Sequence, residues 1–107
     1  MRPSFLSPIL FGLLSTAAYA QSSEWMIEDC GVATQSYFQE FAARAEMKYE
    51  GQRVDGTYAI NGTIYLENMS DDIQCSYASD GETMVDFFAE GASQPEFAKG
   101  SKSPYMD

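Results

Sequence analysis

The chain has 107 residues, and its sixteen acidic side chains outweigh six basic ones to give a formal net charge of −10 with no histidine. This charge argues against nucleic acid and anionic membranes as partners, because their phosphates attract basic surfaces. The lack of histidine excludes Ser-His and Cys-His catalysis and the usual zinc site. Carboxylate chemistry or a Ser-Lys pair remains open to an enzyme, but a small chain has little room for the enclosed pocket that these need. We expect no metal, no cofactor and no catalytic residues.

The first twenty residues have the organisation of a secretory signal peptide. A positive start at Met1 and Arg2 precedes an apolar run at 8–14, and an Ala-Tyr-Ala triplet at 18–20 fits a cleavage site. The apolar run is too short to cross a hydrocarbon core of about 30 Å. We expect a mature chain from Gln21 that is periplasmic or secreted, without a stable membrane anchor, and with five basic and sixteen acidic residues for a net charge of −11.

A helix is predicted from about Asp29 to Tyr49, after a short N-terminal segment at 21–28. Apolar residues recur there at three- and four-residue steps, a helical period, at Cys30, Ala33, Tyr37, Phe41 and Ala45. Asp29 is expected to cap the first turn, and Gly51 is expected to end the helix.

Beyond Gly51 the apolar period becomes two, which predicts four strands at 53–60, 63–67, 73–78 and 83–89. Asn61-Gly62 between the first two is typical of a type I′ hairpin turn, and Asp80-Gly81 marks a second turn. The predicted fold class is α+β, with one helix packed on a four-stranded antiparallel meander across residues 29–90. Residues 91–107 lack a period and are interpreted as a flexible tail.

Two cysteines follow the signal peptide, Cys30 at the predicted helix start and Cys75 in the third strand. In an oxidising compartment they are expected to form a disulfide. Such a bridge would stabilise a domain whose core is small.

Turn length assigns side chains to the two faces of the predicted sheet. A two-residue Asn61-Gly62 turn would pair Tyr58 with Tyr65. At the second turn, a two-residue loop would set Asp86 opposite Cys75, next to the buried bridge. A three-residue loop with a bulge instead places Val85 and Phe87 there and sends Met84, Asp86 and Phe88 outward, which we prefer because it avoids a buried charge.

Outward apolar side chains often mark a contact surface. We take Met84 and Phe88, with the acidic pair Asp71 and Asp72, as the candidate binding face. The alternative is that residues 25–27, or Phe97 in the tail, fold over these side chains.

Two acidic turns, Asp71-Asp72 and Asp80-Gly81-Glu82, lack the spacing of an EF-hand loop and are interpreted as solvated turn residues. The stretches 61–63 and 68–70 match the N-glycosylation pattern at Asn61 and Asn68.

The stretch 54–62 (VDGTYAING), followed by Gln-Cys-Ser-Tyr at 74–77 and Asp80-Gly81, resembles small exported proteins of Gram-negative bacteria that pair a helix-start cysteine with one before an aromatic residue. The resemblance covers about residues 30–88. It implies a periplasmic helix-plus-sheet domain and no catalytic residues. The architecture is also similar to periplasmic inhibitor and PepSY-type domains, a likeness of fold that does not fix function.

The leading functional hypothesis is an exported, non-enzymatic binding or inhibitor-like module for a basic extracytoplasmic protein such as a lysozyme or a protease. The first alternative is a small hydrolase that uses Asp71, Asp72, Asp80 or Glu82 as acid and base, which would require two carboxyls flanking a cleft. The second is a structural protein of the cell envelope. The oligomeric state is left open.

Overall fold

The structure, a computed structural model, describes residues 22–100, with side chains to residue 98. The predicted signal peptide at 1–20, the expected mature start at Gln21 and residues 101–107 of the predicted tail lie outside this range.

One antiparallel sheet of five strands, in the order of the chain, carries a long helix and a short one. In chain order the elements are α1 (Ser23–Phe38), β1 (Arg44–Gln52), β2 (Tyr58–Tyr65), β3 (Ser70–Tyr77), β4 (Met84–Ala89), β5 (Ala92–Ser93) and α2 (Pro95–Gly100). The predicted α+β class, with an N-terminal helix on an antiparallel meander, is confirmed. The sheet has five strands rather than four.

Helix α1 begins and ends earlier than predicted. The Ser22 hydroxyl caps it by accepting a hydrogen bond from the Trp25 N–H at 3.1 Å, and Gln39 ends it in a left-handed conformation with φ of 58°. Asp29 is therefore an interior, buried residue of the helix and not its cap. The predicted helix ran too far because Ala45 also fits the helical spacing of the apolar residues before it. In the structure Ala45, Met47 and Tyr49 belong to β1, where apolar residues recur with a period of two.

Asn61 and Gly62 do not form the predicted turn, because they lie in the middle of β2. A side chain at Gly62 would collide with the Glu46 carbonyl oxygen and stand 2.8 Å from the Met47 Cα, so glycine here permits close approach of β1. The chain reverses instead at residues 53–57, where the Arg53 N–H donates to the Thr57 carbonyl at 2.7 Å. The predicted pairing of Tyr58 with Tyr65 is wrong, since Tyr58 lies opposite Tyr77.

The second hairpin has the bulged register that the sequence favoured. Cys75 lies opposite Phe87, and Asp86 lies opposite Ser76 on the other face, with a register shift before Tyr77. Met84 nevertheless lies opposite Tyr77 and is half-buried against the core. The irregularity leaves Val85 exposed. The inward position expected for Val85 and the outward position expected for Met84 are therefore both wrong.

The core lies between α1 and one face of the sheet. Its largest fully buried side chains are Tyr77, Phe87, Met26, Ile60 and Ile64. The predicted disulfide joins Cys30 of α1 to Cys75 of β3, with a Cα–Cα distance of 6.0 Å across 45 residues of sequence. A disulfide in a small domain is compatible with an oxidising extracytoplasmic compartment.

The first part of the predicted tail is structured. Residues 92–93 pair with β4, and α2 packs on the same face of the sheet as α1. The Phe97 ring lies 4.8 Å from that of Phe87 and 5.3 Å from that of Tyr37, and Ala98 is buried. Residues 91–100 are thus part of the domain, contrary to their interpretation as a tail.

Candidate binding face

The sheet has one covered side and one open side. We call the side away from α1 and α2 the outer face, because no helix or strand of residues 22–100 lies over it. Its side chains alternate with the core residues and are those of Arg44, Glu46, Lys48, Ala59, Asn61, Thr63, Tyr65, Asp72, Gln74, Ser76, Asp86 and Phe88. Residues 25–27 and Phe97, the segments considered as covers, pack on the opposite side.

The structure brings together two of the four predicted face residues. Phe88 is 37% exposed on the outer face, and Asp72 is exposed on the neighbouring strand. Met84 lies on the core side. Asp71 also belongs to the core side, opposite Ile64, and its carboxylate accepts a hydrogen bond from the Glu90 N–H at 2.7 Å.

Phe88 is flanked by two carboxylates. Its direct neighbour on β3 is Gln74, so Asp72 is its diagonal neighbour at a typical Cβ distance of about 7–8 Å. Asp86 precedes it on the same face of β4, about 7 Å along the strand. Asp72 accepts a hydrogen bond from the Thr63 hydroxyl at 3.3 Å, and Asp86 accepts one from the Ser93 hydroxyl.

The basic residues of the outer face lie on the opposite half of the sheet, in β1. Arg44 pairs with Glu46, and the Lys48 ammonium lies 3.4 Å from the Glu50 carboxylate. The Arg44 guanidinium also lies 4.2 Å from the ring centre of Tyr65. The β1 half is therefore balanced in charge, whereas the β3–β4 half around Phe88 is acidic.

Asn61 occupies the centre of the outer face. Its Oδ1 atom is enclosed and accepts no hydrogen bond from residues 22–100. Asn61 is half-buried in the middle of a strand, whereas Asn68 is exposed in the turn between β2 and β3. Of the two matching asparagines, Asn68 is the more accessible for modification.

The four carboxylates considered as acid and base fall into two separate sets. Asp71 and Asp72 lie near the start of β3, and Asp80 and Glu82 follow its end. Because a strand rises about 3.4 Å per residue, the two sets are on the order of 20 Å apart. The pKa of Asp80 is lowered by hydrogen bonds from the N–H groups of Thr83 and Glu82 and from the Thr83 hydroxyl, the opposite of what a general acid requires.

Two site features escaped the sequence reasoning. Asp86 was predicted to point outward but was not included with Phe88 in the candidate binding face. The two are two residues apart in one strand, and such side chains lie on the same face of a sheet. The position of Tyr65 beside Arg44 depends on the β1–β2 register, which the Asn61-Gly62 turn prediction obscured. Tyr58 and Tyr77, in contrast, lie on the core side.

Comparison with known proteins returned no match: no family model, no curated protein and no solved structure is similar to this chain. Among residues 22–100, no helix is long and apolar enough to cross a membrane. In the same part of the chain, no three cysteine or carboxylate side chains gather in a way that would hold a metal ion.

Proposed function

We propose that the protein is an exported, non-catalytic module that binds a basic protein through the β3–β4 half of its outer face. The observation that carries this proposal is an exposed aromatic ring, Phe88, placed between Asp72 and Asp86 on a sheet face that no other element of residues 22–100 covers. The signal-peptide organisation and the disulfide support export.

This arrangement suits the side chain of a lysine or an arginine. The apolar stem of such a side chain packs on a flat ring while its charged end reaches a carboxylate. A cation over a phenylalanine ring is also attracted by the ring itself. The net charge of −10 would raise the association rate with a cationic partner, an effect that salt reduces.

The alternative functions have less support. A carboxylate hydrolase needs two carboxyls flanking one cleft, one of them with a raised pKa. The four residues considered for this role fall into two sets, one near the start of β3 and one beyond its end. A purely structural envelope protein would need no acidic aromatic patch, and it is the interpretation to adopt if no basic protein binds.

The test is to capture partners from a native envelope extract with the mature protein and then measure binding kinetics with variants. Phe88→Ala should increase the dissociation rate by about tenfold, because an aromatic ring that becomes buried in an interface often contributes much of the binding free energy. The double variant Asp72→Lys/Asp86→Lys should lower the association rate at low salt, and this difference should shrink at high salt.

Matched controls separate this face from the rest of the surface. Phe41→Ala removes a ring that is 64% exposed in the loop before β1, and Glu40→Lys reverses a neighbouring charge. Both should leave the kinetics near those of the parent. If Phe88→Ala and the charge-reversed variant behave like these controls, the outer face is not the binding surface and the proposal is wrong.

A further inference from the structure

Strand β1 is a free edge of the sheet. Among residues 22–100 it has a hydrogen-bonded neighbour, β2, on one side only, and at nine residues it is far longer than β5 at the opposite edge. A long edge strand presents a row of unpaired N–H and C=O groups that can pair with another strand. Edges of this kind are usually protected, so the side chains of β1 decide what can pair with them.

The side chains at every second position of β1 alternate in charge. Arg44, Glu46, Lys48 and Glu50 follow one another as positive, negative, positive and negative. Glu50 lies at the register irregularity of the strand, yet its carboxylate remains within 3.4 Å of the Lys48 ammonium. These ion pairs within the strand are exposed and contribute little to stability, so the charges are available to a second strand.

This pattern is most complementary to itself in one antiparallel register. When β1 pairs with β1 of a second copy around Met47, Arg44 lies opposite Glu50 of that copy, and Glu46 lies opposite its Lys48. Two-fold symmetry repeats both contacts. Opposite charges in directly opposed positions stabilise a strand pair.

The neighbouring registers are all unfavourable. Centring the pair on Glu46 would place Glu46 opposite itself and Arg44 opposite Lys48, and centring it on Lys48 would place Lys48 opposite itself and Glu46 opposite Glu50. Like charges in these positions are destabilising. A shift by one residue would set charged side chains against apolar ones and turn the second copy's core side outward. The charges thus disfavour these registers. Pairing around Met47 also opposes more unlike charges than pairing around Ala45, where only Arg44 meets Glu46.

The core side of the same edge also fits a second copy. An open groove of about 230 Å³ lies between α1 and β1 and is lined by Ile27, Glu28, Gly31, Val32, Gln35, Ala45 and Met47. Met47, the centre of the favourable register, forms part of this lining together with Gly31. In that register Met47 of the second copy lies directly beside the groove, and a flexible thioether side chain adapts well to the apolar part of an irregular lining.

We propose that the protein forms a two-fold dimer in which the β1 strands of two copies pair antiparallel around Met47. The two sheets join edge to edge, with their helices on one side and their outer faces on the other. This inference is independent of the proposed function, because it involves the edge of the sheet and not the patch around Phe88.

The test is sedimentation of the full mature chain over a range of concentrations, with charge variants of β1. The parent should show a concentration-dependent dimer. Glu46→Lys and Lys48→Glu should each lower the association constant by about tenfold or more, because each variant opposes like charges twice. Circular dichroism checks that both variants are folded.

Mixing the two variants gives the decisive measurement. The Glu46→Lys chain carries positive side chains at both positions 46 and 48, and the Lys48→Glu chain carries negative side chains at both. In the favourable register these positions face one another, so two variants that stay monomeric alone should form a dimer together.

Asp72→Lys is the matched control, since it reverses a charge on the outer face away from the edge and should leave the dimer intact. The proposal is overturned if the parent is monomeric at every concentration, if the single variants dimerise as well as the parent, or if the mixture remains monomeric.

Discussion

Met47 lies between two glycines that have different roles. A Cβ atom added at Gly62 would collide with the backbone of β1, whereas one added at Gly31 of α1 would stand 3.7 Å from the Met47 Cγ, an ordinary contact. The Met47 sulfur also lies 3.7 Å from the Cys30 sulfur of the disulfide. The close packing of β1 on β2 therefore requires glycine at Gly62. The packing of α1 on β1 does not require glycine at Gly31.

Alanine at the two glycines should change stability in opposite directions. Gly62→Ala should lower the free energy of unfolding by about 3 kcal/mol, because backbone atoms cannot move aside as a side chain can. Gly31→Ala, the matched control, should raise it by up to about 1 kcal/mol, because alanine favours a helix interior and meets no close atom. Urea denaturation of dilute protein measures both. Equal effects at the two positions would contradict this account of Gly62.

Tyr77 connects β3 to α1 through a buried hydrogen bond. Its side chain is fully buried, and its hydroxyl donates to the Asp29 carboxylate at 2.6 Å. Tyr77→Phe keeps the ring and removes this bond to a charged group, so it should lower the free energy of unfolding by about 2–3 kcal/mol. Tyr65→Phe changes an exposed tyrosine in the same way and should have an effect below about 0.5 kcal/mol. A comparable loss in both variants would show that the Asp29 contact is not what stabilises the protein.

Stability should also fall at alkaline pH. Burial, together with the charge and hydrogen bond of Asp29, raises the pKa of Tyr77 above its ordinary value of 10.0. The hydrogen bond to Glu90, burial and the charges of Glu90 and Asp71 raise the pKa of Tyr37 to about 12.

The folded protein keeps these protons at a pH where the unfolded chain loses them. Their stabilising contribution is therefore complete below pH 10 and declines as the pH rises above it, by about 1.4 kcal/mol per pH unit for Tyr77. Urea denaturation between pH 8 and pH 11 should show a shallower decline in Tyr77→Phe than in the parent. An identical pH dependence would contradict the assignment to Tyr77.

An element was predicted correctly where its local sequence pattern fits only one kind of secondary structure. The positions of β3 and β4, and the pairing of Cys75 with Phe87, followed from alternation and from the cost of a charge beside Cys75. The end of α1 was not predicted correctly, because Ala45 fits both a helical and a strand period. Asn61-Gly62 failed for a different reason: a glycine that looks like a turn is required by the close approach of another strand, a contact the local sequence does not reveal.

The candidate binding face was predicted correctly only where the strand register could be inferred from the sequence. Phe88 and Asp72 were assigned to the outer face by the register of β3 and β4, which the sequence constrained. Met84 was misassigned because the irregularity of β4 falls just after it and exposes Val85 instead. The position of the β1 charges at a free edge depended on knowing that β1 is a strand at all.

Helix α2 completes the core, so its removal should be costly. Phe97 packs on Phe87 and Tyr37 where the sheet would otherwise expose apolar surface. Phe97→Ala should lower the free energy of unfolding by about 2 kcal/mol, a value that allows for its partial burial. Phe41→Ala removes a mostly exposed ring and should change it by less than about 0.5 kcal/mol. A chain that ends at Glu90 should melt at a lower temperature than the parent, and unchanged melting would mean that 91–100 contribute nothing to the fold.

Across residues 22–100 the molecule is a sheet with one covered side and a small core, and the whole chain has a strong negative charge. Like charges repel one another in the compact state, and a domain of this size has little apolar surface to bury in compensation. Helix α1 makes most of its backbone contacts with β1 at one edge of the sheet. The disulfide adds a covalent attachment at the centre of the sheet, at Cys75 of β3, beside the hydrogen bond from Tyr77 to Asp29.

Removal of the disulfide should therefore reduce stability more than its buried volume suggests. A bridge across 45 residues restricts the unfolded chain by about 4 kcal/mol in the entropic description, and native bridges in small secreted domains contribute about 2–5 kcal/mol. The double variant Cys30→Ala/Cys75→Ala should lose an amount in this range in urea denaturation, and the parent should lose a similar amount when reduced. Met47→Leu, which changes a side chain in contact with the bridge while conserving its volume, should cost less than about 1.5 kcal/mol. A loss below about 1 kcal/mol in the double variant would show that packing alone holds α1 on the sheet, because the crosslink would then add nothing that the contacts with β1 do not already provide.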